Sequence, residues 1–533
     1  MSEKAGSSRR DFFKGAALAA GAAAITATGA VSLAGCASGG GSTKGAYETK
    51  HTCDVVIAGA GIGGLAAAVS AAESGARVIL IEASKKVGGT SRFAAGAFGP
   101  RFGTDWETVK KKSPMTDPEL SKVVLDNWDS YVEWITGMGL KVEKLSEKSP
   151  YLWMGGKRDA KQGSKSNTDE YLQQFGQIFA DKGGTTLTET RAVKVLTNDK
   201  GAAIGIRAED ASGVFDIAAK AVILATGGFQ CDKEMVVKYI GRHADQSQAQ
   251  CVPYLDGAGI KMGVAVGAQL SRSFGSYYGH PQPWPMDYLK YSDAEAYEAE
   301  GDVDKVHVAF YGATEHPIQA AAIYVNCSGH RFVDEGLSSS LVNQEVMQQY
   351  MSRAYLILDE GIRDGIRATP FYAAAVVGGD RIDYMLANGF PIIKADTLEA
   401  LGQKIVKESS DGVSFNAANM MKTVAEYNDA CAAGTTAAMD VPHISLAPAL
   451  PIEKGPFYAI PVVGGIMATF GGLKINPKTE VIGIDAKPIT GLCAVPGCAG
   501  GIMNGDYWCV MSGYSVFGRI AGKTATDYAA TVK

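Results

Sequence analysis

Apolar and polar positions along the chain fall into two kinds of pattern, and the first kind opens the fold. Asp54–Glu82 reads DVVIAGAGIGGLAAAVSAAESGARVILIE. Asp54–Ala58 is a short, largely apolar run of strand type, which predicts a strand. Gly59-Ala60-Gly61-Ile62-Gly63-Gly64 follows at once, and the small apolar residues Leu65–Ala72 predict a helix. Arg77–Ile81 predicts a second buried strand that ends at Glu82. In this spacing Gly59 allows the tight strand-to-helix turn, Gly61 lets the backbone approach a pyrophosphate, and Gly64 lets helix and strand pack closely. The helix N-terminus offers free N–H groups and a partial positive charge to a diphosphate. Glu82 stands where an acid accepts hydrogen bonds from a ribose. The pattern predicts a dinucleotide site.

Farther along, residues 104–190 are mostly helical in pattern, with charged outer faces. Arg191–Val195, Ala203–Ala208 and Val214–Ala218 alternate as short strands. An apolar strand then runs into Ala225-Thr226-Gly227-Gly228-Phe229, and Asp256-Gly257 opens a helix that continues to Ala268. Ile323–Asn326 and Ala354–Leu358 read as strands, and residues 395–433 as polar helices. Between Glu82 and the helical region lies Gly88-Gly89-Thr90-Ser91, then Ala94-Ala95-Gly96. A Gly-Gly-hydroxyl loop of this kind brings N–H groups and hydroxyls to a second set of phosphate and ribityl oxygens.

The order of strand, GxGxxG, acid and GGTS-x-x-AAG resembles that of FAD proteins of the fumarate reductase and succinate dehydrogenase flavoprotein family. The resemblance runs from about Cys53 to the C-terminus. It implies an α/β fold, a Rossmann-like FAD-binding domain with an inserted α+β capping domain. The FAD-binding domain is expected at 51–318 and 452–533, the cap at 319–451. It assigns Ala225, Thr226, Gly227 and Gly228 to a second FAD-contacting turn, and turns Asp256 toward the flavin region. Gly329-His330-Arg331-Phe332-Val333-Asp334-Glu335 matches the family segment that opens the cap, and Arg363 falls where fumarate reductases carry a catalytic arginine. Glu335 and Arg363 are therefore expected among the catalytic residues. No His lies between His51 and His243, so the FAD is expected to be noncovalent.

Departures from the family bear on the substrate. Fumarate reductases hold a dicarboxylate with a His before the TxGG turn and an Arg in the C-terminal glycine-rich loop. Met467-Ala468 and Asn504-Gly505-Asp506-Tyr507-Trp508 occupy those places here, and an uncharged Ser338 follows Glu335. Tyr507, Trp508 and Met467, with Tyr277, Tyr278 and Trp284, suit a larger or less charged acceptor. The expected activity is an FAD-dependent reduction of an activated C=C bond, of enoate or enone type rather than fumarate. The proton would come from Arg363 or Tyr507. A ketosteroid-type dehydrogenase and an exported flavin carrier without its own substrate are the alternatives.

Composition adds limits. A length of 533 residues allows two or three domains, and a net charge of −5 with balanced acids and bases gives no sign of nucleic-acid binding. None of the nine cysteines forms CxxC, so no haem-attachment or common zinc spacing is present, and Cys493, Cys498 and Cys509 read as buried thiols. Electrons are then expected from a separate donor, a membrane cytochrome or a quinol-linked protein. Ser8-Arg9-Arg10-Asp11-Phe12-Phe13-Lys14 resembles a twin-arginine export signal, and Leu33-Ala34-Gly35-Cys36 a bacterial lipobox. Residues 1–50 are thus expected to export the protein and to lipid-anchor it on the outer side of the cytoplasmic membrane.

Overall fold

The opening apolar run builds the centre of a mixed sheet. A computed structural model describes residues 47–94, 96–144, 151–156, 167–284, 316–367, 382–383, 386, 390–409, 414–444 and 449–533. In it β1 (Thr49–Ala58), α1 (Ile62–Glu73) and β2 (Val78–Ile81) follow the predicted strand–helix–strand order. β1 and β2 pair in parallel, Val55 opposite Val78 through Ala58 opposite Ile81. Val55–Ala58 of β1 and all of β2 are apolar on both faces because both faces are covered there. Two amphipathic helices follow, α2 (Pro118–Gly137) and α3 (Thr168–Asp181). Asp117 caps α2 by accepting from the Glu119 and Leu120 N–H groups, and Leu120, Val124, Trp128, Tyr131 and Ile135 form its buried stripe.

β3 (Thr185–Leu187) extends the parallel edge beside β2. An antiparallel meander of β4 (Arg191–Thr197), β5 (Ala203–Asp210) and β6 (Gly213–Leu224) then returns the chain to β1. The sequence suggests two segments, Val214–Ala218 and a later apolar strand, but they form the single strand β6. Its first half, Gly213–Ala218, pairs with β5, while β1 flanks it from Asp216 to Leu224. α4 (Ala258–Ala265) follows, a turn shorter than the pattern suggests.

A second sheet carries β7 (Ile323–Asn326), β8 (Arg353–Asp359) and β9 (Phe457–Val463). All seven residues of β8 pair with β9, and Gln282–Pro283 and Ile393–Ala395 add to the other edge of β9. This sheet therefore reaches beyond 319–451, because the strand that completes its pairing is contributed from 457–463. Around it lie α5 (Ser339–Gln348), α6 (Glu360–Arg367), α7 (Leu398–Glu408) and α8 (Ala417–Ala433).

The chain closes with β10 (Glu480–Ile482), β11 (Pro488–Ala494) and α9 (Val510–Ala529). β11 pairs in parallel with the second half of β6, Leu492 opposite Val222. α9 lies against α1 so closely that a Cβ on Gly518 or Gly522 would come within 2.2 or 2.3 Å of the Gly63 or Ala67 carbonyl. That contact is the reason α1 is built of small apolar residues. Among the described residues no helix is long and apolar enough to cross a membrane.

Candidate active site

The carboxyl ends of β1, β2 and β6 open on one cavity of about 400 Å³. Open α/β sheets bind ligands at this edge. Gly59, Gly61, Gly63, Gly64, Glu82, Gly89, Thr90 and Ser91 line it, as do Ala225, Thr226, Gly227 and Gly228. The glycines divide by task. Gly59 has φ +101°, and a Cβ there would strike the Ala225 carbonyl at 2.4 Å; a Cβ on Gly64 would come within 1.9 Å of the Gly59 carbonyl. A Cβ on Gly61 would meet only Ser91 Oγ, at 3.9 Å, and would otherwise stand in the cavity. The N-cap residue Gly61 supplies no side-chain cap; the Ile62 N–H donates to Ser91 Oγ at 3.3 Å, and the N–H groups that follow it in the first turn are left for a ligand.

The buried Glu82 carboxylate accepts from the Ala60 N–H at 2.8 Å and the Ser84 N–H at 3.0 Å. Burial raises its pKa above the ordinary carboxylate value, and those two hydrogen bonds oppose the shift. Each oxygen keeps a second lone pair for a ribose hydroxyl. The open space at Gly61, the uncapped helix end and this carboxylate fit the diphosphate and ribose of FAD.

Other expected residues lie elsewhere. Ala95 is outside the described residues, as are Arg9, Arg10 and Cys36 of the N-terminal signals. Gly96 does not line the cavity: it has φ +90° and packs against the Trp153 ring. Asp256 does not line it either. Its carboxylate pairs with Arg191 and accepts from the Ala258 N–H at the start of α4, so it neutralises a cation and caps a helix.

Glu335 and Arg363 are both away from this cavity. Glu335 is wholly buried, holding Arg331 at 2.5 Å, His443 at 3.1 Å and the Tyr324 N–H at 2.9 Å. It closes an ion-pair network beneath β7. Arg363 is buried on α6, donating to the Tyr458 hydroxyl at 2.8 Å and pairing with Asp383 at 2.5 Å. Motif position fixed their segments, but the side chains turned to partners within the second sheet's own layer.

Tyr507 does line the cavity, with Met467 and Ala468. Its ring lies 4.4 Å from that of Tyr278. Burial and the neighbouring Tyr151 and Tyr278 push its phenol well above the ordinary value. Three expected aromatic residues do not line it. Trp508 is fully buried and donates to the Ile502 carbonyl, Tyr277 is buried against Asn343, and Trp284 stacks on Arg353.

Arg101, Tyr151, His280 and Ser339 also line this end of the cavity, and no sequence motif announced them. His280 Nε2 is hydrogen-bonded with the Tyr278 hydroxyl at 2.9 Å and Nδ1 with Ser339 Oγ at 2.6 Å. Burial, reinforced by the Arg101 charge, lowers the His280 pKa to about 4, so the imidazole is neutral in near-neutral solution. Arg101 stands 3.6 Å from Asp506, which also accepts from Ser338 Oγ.

A strand–glycine turn–helix with a buried ribose acid, sharing one cavity with a polar aromatic pocket, defines an FAD-dependent oxidoreductase. The chain belongs to the FAD binding domain family, whose profile matches residues 54–508. It is 29% identical over 506 residues to a fumarate reductase (cytochrome) of Shewanella frigidimarina, spanning 90% of this chain and 77% of that protein. It is 28% identical over 502 residues to the urocanate reductase of Eggerthella lenta, spanning 89% of this chain and 75% of that protein. The fold matches the open conformation of a flavocytochrome c3 fumarate reductase with a TM-score of 0.66 at 21% identity, over 99% of this chain and 83% of that one.

Proposed function

We propose that this protein reduces an activated C=C bond in an aromatic or polycyclic acceptor carrying at most one carboxylate. One observation carries the reading: the cavity end beside the FAD motifs is walled by Tyr151, Tyr278, Tyr507, Met467 and Ala468 around a single arginine, Arg101. A pocket walled by aromatic rings around one cation speaks against a flavin carrier without its own substrate. The reductase names of the relatives support the direction of the reaction. Bound FAD, once reduced by the separate electron donor, would supply the hydride for the β-carbon of such an acceptor. The chain must bind and orient the acceptor, exclude water and deliver a proton to the α-carbon. Arg101 takes the one carboxylate, while the rings of Tyr278 and Tyr507 cover the flat body of the acceptor.

Tyr507 is the proton donor this geometry favours over Arg363. Its raised pKa keeps the phenol protonated in any working solution and lets it yield the proton only to a strongly basic carbanion. Tyr278, His280 and Ser339 hold that wall in place as positioning residues. An anaerobic screen of enoates and enones with reduced viologen tests the reading, with an aromatic acceptor expected as the best substrate. Tyr507→Phe should slow its turnover by about 10²–10⁴-fold. FAD content should be unchanged, and the solvent deuterium isotope effect on product formation should be altered. Turnover of the variant within a few-fold of the parent would remove Tyr507 from this role.

We infer that the reductase works outside the cytoplasm and draws electrons from a separate membrane-bound or quinol-linked donor. Arg9-Arg10 and Cys36 support this reading. Replacing both arginines by lysine should trap the protein inside the cell, and Cys36→Ala should release it from the membrane fraction. A Cys36→Ala protein that sediments with membranes as the parent does would defeat the lipid anchor.

A further inference from the structure

Two thiols with no part in the reaction face each other behind the cavity wall. Cys231 Sγ and Cys251 Sγ stand 3.5 Å apart, both as free thiols. Cys231 is partly exposed, whereas Cys251 is buried. Each is tied to the wall of the FAD cavity. Cys231 follows the lining residue Gln230, and its N–H donates to the carbonyl of Leu255, another lining residue, at 2.9 Å. Cys251 precedes Val252, whose N–H donates to Thr90 Oγ1 at 3.2 Å. The thiol pair therefore joins the turn after β6 to the segment that holds the Gly-Gly-Thr-Ser loop.

We propose that Cys231 and Cys251 are a thiol–disulfide exchange site that takes a low-molecular-weight disulfide as its oxidant and, once cross-linked, clamps the FAD cavity. The Cys231 thiolate attacks one sulfur of the small disulfide, whose S–S bond breaks, and the departing thiolate takes a proton from solvent. Cys251 loses its proton and attacks the Cys231 sulfur, expelling the second small thiol. Two protein thiols are oxidised to one disulfide, and the small disulfide is reduced to two thiols. Accessibility assigns the roles, because only Cys231 meets solvent and Cys251 is placed to resolve the mixed disulfide. The hydrogen bond from Cys251 lowers the Cys231 thiol below its ordinary value and supports the same order. The sulfurs need only close from 3.5 Å to about 2.05 Å. The bond would close a loop containing the Lys233–Tyr239 helix and restrain the wall that holds Thr90.

The plainer account is two packed thiols without chemistry, and the experiment separates the two. The FAD-loaded protein is incubated with oxidised glutathione, alkylated and mapped by mass spectrometry, and FAD release in mild denaturant is timed by fluorescence. Wild type should yield a Cys231–Cys251 cross-link, and its FAD should leave several-fold more slowly until a reductant restores the original rate. Cys251→Ser should stop with glutathione on Cys231, and Cys231→Ser should leave Cys251 unmodified. A parent protein that retains glutathione on Cys231, stays unmodified, or cross-links either thiol elsewhere would overturn the exchange site. A Cys231–Cys251 cross-link with unchanged FAD release would overturn the clamp.

Discussion

Gly61→Val should give a folded protein that no longer holds FAD. The backbone at Gly61 has φ −64° and ψ 177°, extended geometry that valine adopts readily. The first atom of the new side chain would meet only Ser91 Oγ at 3.9 Å, so the protein itself has room for it. The space it fills is that of the diphosphate at the N-terminus of α1. A hydrogen bond to a charged group contributes about 1.5–3 kcal/mol, so the loss of two would weaken binding by roughly two to four orders of magnitude. The purified variant should be colourless with a Tm near that of the FAD-free parent. Gly64→Val is the contrasting case: its Cβ falls 1.9 Å from the Gly59 carbonyl, so it should impair folding itself. Wild-type flavin content in a soluble Gly61→Val protein would show that the diphosphate lies elsewhere.

Fumarate should be a poor substrate beside an aromatic enoate or enone. Two carboxylates need two charge-assisted partners in a closed pocket. Among the described residues Arg101 is the only cation lining the Tyr507 end, and Asp506 already shares its charge. The imidazole of His280 is neutral because burial lowers its pKa to about 4. Met467 and Ala468 add apolar surface where the second carboxylate would need a donor. Without such a partner fumarate forfeits about 1.5–3 kcal/mol, and desolvation of the unpaired charge brings the handicap to about 3–6 kcal/mol. That is a factor of about 10² to 10⁴ in kcat/KM. Arg101→Gln should lower kcat/KM for a monocarboxylate enoate while sparing an uncharged enone. Comparable efficiency with fumarate and with the best aromatic acceptor would overturn this pocket.

The FAD half was legible because its signal is local. Gly59, Gly61 and Gly64 act through their own backbone geometry, and Glu82 lies at the end of the next strand, so the single stretch 54–82 contains the whole diphosphate–ribose element. The same holds for Thr90, Ser91 and the Ala225–Gly228 turn, each delivered to the cavity by the strand or loop that carries it. Side-chain direction was not legible where a partner from a distant segment competes for it. Asp256 turned to Arg191, Glu335 to Arg331 and His443, and Arg363 to Tyr458 and Asp383, each satisfying a charge that would be costly to bury alone.

The sequence by itself therefore determined the cofactor and the strand–turn–helix that binds it, because those depend on contiguous residues and on backbone conformation. Through the family resemblance it also raised the expectation that the usual dicarboxylate partners are missing, with Met467, Ala468 and Tyr507 in their places. Only the tertiary structure decided what lines the remainder of the pocket. Arg101, Tyr151, His280 and Ser339 come from four separate stretches, and Trp508 goes into the core while its neighbour Tyr507 faces the cavity. The charge state of His280 is likewise a tertiary property, because it follows from burial and from the nearness of Arg101.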